Sequence, residues 1–552
     1  MGISIFKLVS VLIFIISVGC SQDTRSNSND PISIPTQVST PIRSAEANVS
    51  TFIKDAKYGG TLNLASRENI RHFDVHTEIS PALISWGPGI VYSRMLRLQT
   101  GENIKSPSLK LECELCEHWT QLSPYIYRFK LRPGIRWHNI SPVYGRTLTA
   151  HDVVYSYNRL SNPKNPNSAL FSSILEINVI DENTLDITLA HPDADFLLSL
   201  ADGHSKIVPK DAIEVNGDLT QGPNIGTGPW LWKSTESNLG TVFEKNQNYF
   251  EHGLPFLDKL TFNIIGDQQT RLASFKGGLI DILQISYENW NKFKINHPNA
   301  PLLKYKEHGT GIEFSINTTQ GLFKDIRLRT ALFNAIDPLK LNKEVLPEEA
   351  YVSIGIPVIS HNWLLSQNEI TRIFGNKEEA RSLLEETKLP LPIQIEITIG
   401  DFSDQHISYG YALANQLEEL GFKPNIIIKD VQEFAKNVWM DGEYSIFIGS
   451  PPPVTKPNSY LFPVFHSQGV VNTAGYKNKE LDKLIDLQSR EINYDLRKQL
   501  LLDIQRHILN KAFRFMPATK ISFWTWSPRV NYFHPNFAAS EYFHWTRVWV
   551  TD

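Results

Sequence analysis

The sequence predicts an α/β protein with mixed sheets. Three observations lead there. Tyr125–Leu131 and Thr184–Leu189 alternate apolar and polar residues with the period of a strand. Asp325–Ile336 instead spaces Ile326, Leu328, Ala331, Leu332 and Ala335 as one face of a helix. The two kinds of segment alternate along the chain with hairpin-like turns among them, and no internal repeat recurs at periods of about 20–50 residues.

The chain has 552 residues. At roughly 100–200 residues per domain this means about three folding units or one large lobed body. With 41% hydrophobic and 20% charged residues, most of it can bury a core. The net charge of -4 leaves no cationic excess to neutralise phosphates, so nucleic acid is not an expected partner. Twelve Trp and 19 Tyr supply flat side chains for cores and ligand clefts alike.

Residues 1–19 read as a secretory signal: Lys7, the apolar run Leu8–Val18, then small residues up to Cys20. The run is too short to span a bilayer, which takes about 20 apolar residues. A Cys directly after Gly at this point resembles the bacterial lipobox, in which the Cys is acylated. Residues 20–57 would then be a lipidated Cys20 followed by a tether. The stretch is rich in Ser, Thr, Asn and Pro, cannot offset its ordering entropy, and would reach on the order of 35 Å as a coil.

The folded body should begin at Tyr58-Gly59-Gly60-Thr61, a turn into a strand. Cys113 and Cys116 form a C-x-x-C pair, for which a local disulfide, free thiols and metal or redox chemistry are all open. An exported chain favours the disulfide. Neighbouring acids disfavour a redox thiol, and only His118 is near enough to help hold zinc. Arg132-Pro133-Gly134 is a turn. Thr149 caps a helix running to Arg159, with Asp152 at its positive end. Glu378–Leu389 and Leu413–Leu420 are helical, Asn425–Lys429 is a β-branched strand, and Asn478–Ala512 is one long amphipathic helical region.

Catalytic signatures are absent: no H-E-x-x-H, G-x-S-x-G or G-x-x-x-x-G-K-[ST] occurs. Gly226-Thr227-Gly228-Pro229 is a poor phosphate loop because Pro229 removes a donor. The 16 His show no metal-binding pair on a helix. An enzyme is therefore not expected, nor is a cofactor or metal.

Several runs, in order along the body, resemble the bacterial extracellular solute-binding proteins of the oligopeptide, dipeptide and nickel type, the binding lipoproteins of ABC importers. They include Tyr127–His138, Leu148–Ser156, Ile207–Lys210, Ile225–Trp230, Gly277–Asp281, Phe314–Thr318, Asp325–Leu332 and Asn472–Tyr476. The resemblance implies a two-lobed, periplasmic-binding-protein-like fold of the large three-subdomain type, with a hinge. Lobe one would comprise 58–100, 222–317 and 522–552, with an accessory subdomain at 101–221, and lobe two would be 318–521. It also implies a monomer in the bacterial cell envelope, on the periplasmic or cell-surface side, that closes on a small solute and delivers it to the permease. The solute is expected to be a peptide. Oligosaccharides, opine-like amines and nickel chelates are the alternatives, together with a sensing role without transport.

By the resemblance, Glu78, Ser80 and Trp86 face the cleft from lobe one. Gln284 and Tyr287 line the same wall, Asn317 lies on a hinge strand, and Tyr542 belongs to the returning C-terminal segment. In lobe two, Trp439 would offer a flat stacking surface. The loop Ile448–Pro457 lacks the acid that peptide binders use for an α-amino group. Its Lys456 could attract an anionic group instead.

Overall fold

The computed structural model describes residues 56–77, 81–104, 108, 110–357, 361–452, 456–536 and 545–551. Cys20, Glu78, Ser80 and Tyr542 lie outside them. So does the signal and nearly all of the tether.

Three sheets organise the described residues. Thr61–Ser66, Lys259–Ile264, Gly240–Lys245 and Trp230–Glu236 form a four-stranded sheet whose first pair is parallel and the rest antiparallel. An antiparallel sheet joins Cys116–Ser123, Ile126–Leu131, Thr184–Leu189 and Ile174–Asp181 in that order. The largest sheet has seven strands, led through Ile282–Ile285, Arg514–Trp526, Leu302–Ile316, Ile446–Gly449, Ile393–Gly400 and Phe422–Lys429. Ala350–Ser353 pairs with Arg514–Trp526 as well. The last three strands of the series are parallel to one another and the others antiparallel, so the sheet is mixed.

Ile126–Leu131 and Thr184–Leu189 take up the alternation that predicted them. In Thr184–Leu189 the residues Leu185, Ile187 and Leu189 are buried and the intervening ones are not. Thr149 caps Ala150–Leu160, and the Asp152 carboxylate accepts the Thr149 backbone N–H at 2.9 Å. The region 478–512 is two helices rather than one. Asn493 accepts the N–H groups of Asp495 and Leu496 and starts Tyr494–Asn510 afresh after Lys479–Arg490. Leu413–Leu420 proves to be the end of a longer helix, Asp404–Glu418.

Three large apolar cores fill the molecule. One surrounds Trp230, with Leu62, Leu64, Phe243, Phe262, Trp524 and Trp545. The second surrounds Phe129, from Met95 to Ile207, with Ile225. The third surrounds Phe314, from Ile312 to Ala518, along the seven-stranded sheet. A disulfide joins Cys113 to Cys116 inside the Phe129 core.

Leu302–Ile316 and Arg514–Trp526 serve two of these cores. Leu303 and Trp524 belong to the Trp230 core, whereas Phe314 and Phe515 belong to the Phe314 core. Between them the register slips from Lys306↔Ile521 to Gly311↔Thr519, so residues 307–310 bulge from the ladder. Gly311 permits this. Its φ is +121°, and a Cβ there would lie 2.2 Å from the Ala518 carbonyl oxygen.

Candidate functional site

The chain leaves Gly400 through helix Asp404–Glu418 towards Phe422–Lys429. It leaves the neighbouring Gly449 in the other direction, to helix Pro457–Phe465, whose Tyr460 hydroxyl donates to Glu313 on Leu302–Ile316 at 3.1 Å. Connections that diverge from adjacent parallel strands open a crevice at their carboxyl ends, and ligands of open α/β sheets settle there. Asp401, Phe402 and Ser403 edge it on one strand, and Ser450 and Pro451 on the other.

His406 ties the two strand ends together. Its Nδ1 lies 2.9 Å from Ser403 Oγ and its Nε2 lies 3.1 Å from Ser450 Oγ. Burial lowers its pKa; the Gly311 carbonyl and the Asp401 carboxylate only partly oppose that. The imidazole is therefore neutral at pH 7, giving one nitrogen to each serine. Asp401 is exposed, with its backbone N–H fixed on the Lys429 carbonyl at 2.8 Å. Phe402 stacks on Trp439 at 5.7 Å, and Phe434 meets Trp439 edge-on. The Trp439 indole N–H is buried and finds no acceptor among the described residues.

Next to the Gly311 carbonyl that His406 meets, a line of polar contacts runs from Thr310 along the bulge to the other body. Thr310 donates to Glu307 at 3.1 Å, and Lys520 lies 3.4 Å from the same carboxylate. Glu307 also accepts the Ser522 hydroxyl, which accepts from Gln284 at 2.9 Å, and Arg67 closes the line on Gln284. Gln284 pairs with Trp524 in the ladder, and Trp86 stacks on Trp524 at 6.3 Å with the rings 7° from parallel. One wall thus carries Trp86, Trp524, Gln284 and Ser522.

The structure brings Trp86 and Gln284 together on this wall and sets Trp439 beside Phe402 at the edge of the crevice. Three other expected residues go elsewhere. Tyr287 packs its ring on Phe523, which projects from the other side of the sheet from Trp524, and its N–H is held by Glu349. Asn317 follows the end of Leu302–Ile316 beside Ile446, the amino end of that strand and hence away from the crevice. It is 2% exposed and occupied by Gly442, Ser445 and Thr319. Lys456 is buried with its ammonium on Ser199 Oγ at 2.7 Å, so it is engaged by the Phe129 body rather than open to a solute. Asp401, Ser403, His406 and Glu307 were not singled out from sequence. The signal was there: alternating Ile393, Ile395, Ile397 and Ile399 end in Gly-Asp before a helix start, which is how an α/β strand delivers its carboxyl end to a site.

No cluster of three or more His, Cys, Asp and Glu suited to a metal occurs among the described residues, nor a helix long and apolar enough to cross a membrane.

Residues 110–472 match the family model described as bacterial extracellular solute-binding proteins, family 5 (middle). The chain belongs to that family. It is a solute-binding protein of the kind that serves ABC importers, working on the periplasmic or extracellular side. Heme-binding protein A of Haemophilus influenzae is 25% identical over 82% of this chain and 86% of its own length. The periplasmic oligopeptide-binding protein OppA of Salmonella typhimurium is 26% identical over 67% and 72%. In fold, the chain is similar to the ABC transporter substrate-binding protein CtaP of Listeria monocytogenes, with a TM-score of 0.74, 20% identity, and coverage of 90% of this chain and all of that one.

Proposed function

We propose that this solute-binding protein encloses a short peptide in the crevice at Gly400 and Gly449 by closing the Phe314 body against the Trp230 and Phe129 bodies. The hinge of this reading is the bulge at residues 307–310, where the two long strands pass from one core to the next. The observation that supports it is the His406 bridge between Ser403 and Ser450 at the two strand ends, with the polar line from Arg67 to Thr310 running along the bulge from one body to the other. Asp401 supplies the acid that the Ile448–Pro457 loop lacks, and favours a solute whose cationic group meets that edge. Trp439 and Phe402 offer a flat surface to a neighbouring side chain.

Pro451 favours a second reading. It removes a backbone donor where an extended peptide would add to the strand end, which suits a flat non-peptide solute instead. A thermal-shift series decides between them, because a ligand raises the melting temperature by mass action. Di- to pentapeptides with free amino termini should shift it more than their N-acetylated forms, and Asp401→Asn should erase that preference. A shift with oligosaccharides or metal chelates, and none with any peptide, selects the second reading.

The body is a monomer carried on the tether 20–57, lipid-anchored at Cys20, and meets the permease in its closed form. The short apolar run ending at Gly19-Cys20 supports the anchor. Cys20→Ala should release the chain from the membrane fraction; its retention there would sink the assignment.

A further inference from the structure

The loop that edges the crevice ends where it touches the Phe129 body. Just before helix Phe196–Leu200, the segment Asp193–Asp195 enters the Phe314 body as a plug. The Asp195 carboxylate accepts the Arg497 guanidinium at 2.7 Å through one oxygen and the Asn458 backbone N–H at 2.9 Å through the other. Ala194 donates its N–H to the Ser489 carbonyl at 2.9 Å and accepts from Arg497 at 3.1 Å. Asp193 accepts the Asn458 side-chain amide at 3.1 Å. The Arg497 and Asp195 side chains are each only 4% exposed.

The socket is held by its own body. Arg497 lies over the Trp363 ring, 5.4 Å from its centre, and reaches Gln488 and Asn458 as well as Asp195. It stays oriented when the plug is withdrawn, and the charges on both sides can then be solvated. A buried ion pair is a poor way to weld two bodies permanently, because desolvation offsets much of its attraction. For surfaces that must separate it is suitable, since neither exposes a large apolar patch when apart. Asn458 also sits in the first turn of Pro457–Phe465, directly after the loop leaving Gly449. Lys456, one residue before that helix, makes the contact with Ser199 described above.

We propose that Asp195 is a positioning residue for solute binding: its insertion between Arg497 and Asn458 latches the closed form and fixes the start of the helix that carries the solute loop. The proposal rests on the closure reading, and the experiment separates the two. Amide hydrogen exchange on the full chain reads the latch directly at Ala194 and Asn458, whose N–H groups bond across the contact, and needs no solute. Asp195→Asn keeps the shape and loses the charge; Arg497→Met keeps the packing on Trp363 and loses the fork. Each is expected to speed exchange at Ala194 and Asn458 tenfold or more, while amides in Ile393–Gly400 keep their protection. In the same variants trialanine, used as the probe, should dissociate at least tenfold faster if peptide binding is confirmed. Unchanged exchange at both amides in both variants would overturn the latch, whatever the solute. Faster exchange together with no binding of any solute by the unsubstituted chain would leave the latch standing and defeat the closure-for-capture reading alone.

Discussion

The Phe129 body makes two contacts, and they are built from different materials. Against the Trp230 body it adds main chain and shape to an ion pair, Arg159 on Asp74. His138 donates its N–H to the Gly226 carbonyl at 2.9 Å, Ile207 donates to Ser93 at 2.9 Å, and Gly226 and Gly228 press on the Val91 carbonyl so closely that a Cβ would stand 1.9 and 2.6 Å from its oxygen. Against the Phe314 body it uses the charged plug and socket of Asp195 and Arg497, with Lys456 on Ser199. Surfaces that exclude even a methyl group do not slide or part. Surfaces of paired side chains can, because water replaces each partner. The difference supports the closure proposed above, in which the Phe129 and Trp230 bodies move as one unit against the Phe314 body.

The first contact should therefore be the less forgiving. Gly226→Ala places its methyl inside the Val91 carbonyl, and neither backbone has room to yield. The expected loss is about 4 kcal/mol or more, in the range reserved for severe core lesions. Denaturant unfolding measures it, and a loss below about 1 kcal/mol would mean that the contact relaxes easily and that the comparison is misdrawn.

A second test sets one ion pair against another. Arg514 and Glu313 meet inside the Phe314 body through two bonds of 2.7 Å, with side chains 1% and 0% exposed. Arg514→Met strands the Glu313 carboxylate in a core that never opens, at a cost of about 3 kcal/mol or more. Asp195→Asn should cost less, about 1–2 kcal/mol in the same assay, because Arg497 can reach water when the bodies part. Equal costs would make the Asp195 contact as permanent as the Glu313 one.

Much of this arrangement could be read from sequence, and what could not has a physical cause. Alternation marked Thr184–Leu189, and the Thr149–Asp152 cap marked its helix, because period and capping are local properties. Gly226-Thr227-Gly228 was legible as a glycine-rich turn, though not that the Val91 carbonyl presses on it. His406 was not legible as a site residue, since its role depends on Ser450, 44 residues later in the chain, arriving beside it and Ser403. Lys456 was legible as a charge near the crevice, but Ser199 lies 257 residues away and only the fold shows that it takes the ammonium. The place of Asn317 in the fold was not legible for a related reason. A strand has two ends, and the resemblance did not say which of them meets the solute.

Acid sharpens the comparison from the side of the permanent contact. His138 is buried in it, with Nε2 on the Gly228 carbonyl at 3.0 Å and Nδ1 facing the Gly226 N–H at 3.3 Å. Nδ1 must accept that N–H, so the ring has to be neutral, and burial pushes its pKa down to about 4 despite the Gly228 carbonyl. In the unfolded chain the same imidazole takes its proton near pH 6.5. Above about pH 6.5 both states are neutral and the full stability is present. Between about 6.5 and 4 the unfolded state binds the extra proton, so stability falls by roughly 1.4 kcal/mol per pH unit for this group, and the loss levels off below pH 4. His76, on the Lys206 carbonyl at 2.8 Å and also pushed by burial to about 4, adds a parallel loss. His138→Gln can still donate to Gly228 but cannot ionise, so it should remove about one proton's worth of the slope and leave that of His76. Denaturant unfolding at pH 7, 6, 5 and 4.5 reads the difference. An unchanged slope in His138→Gln would mean that His138 ionises freely while the protein is folded, and that the contact around Gly226 admits water after all.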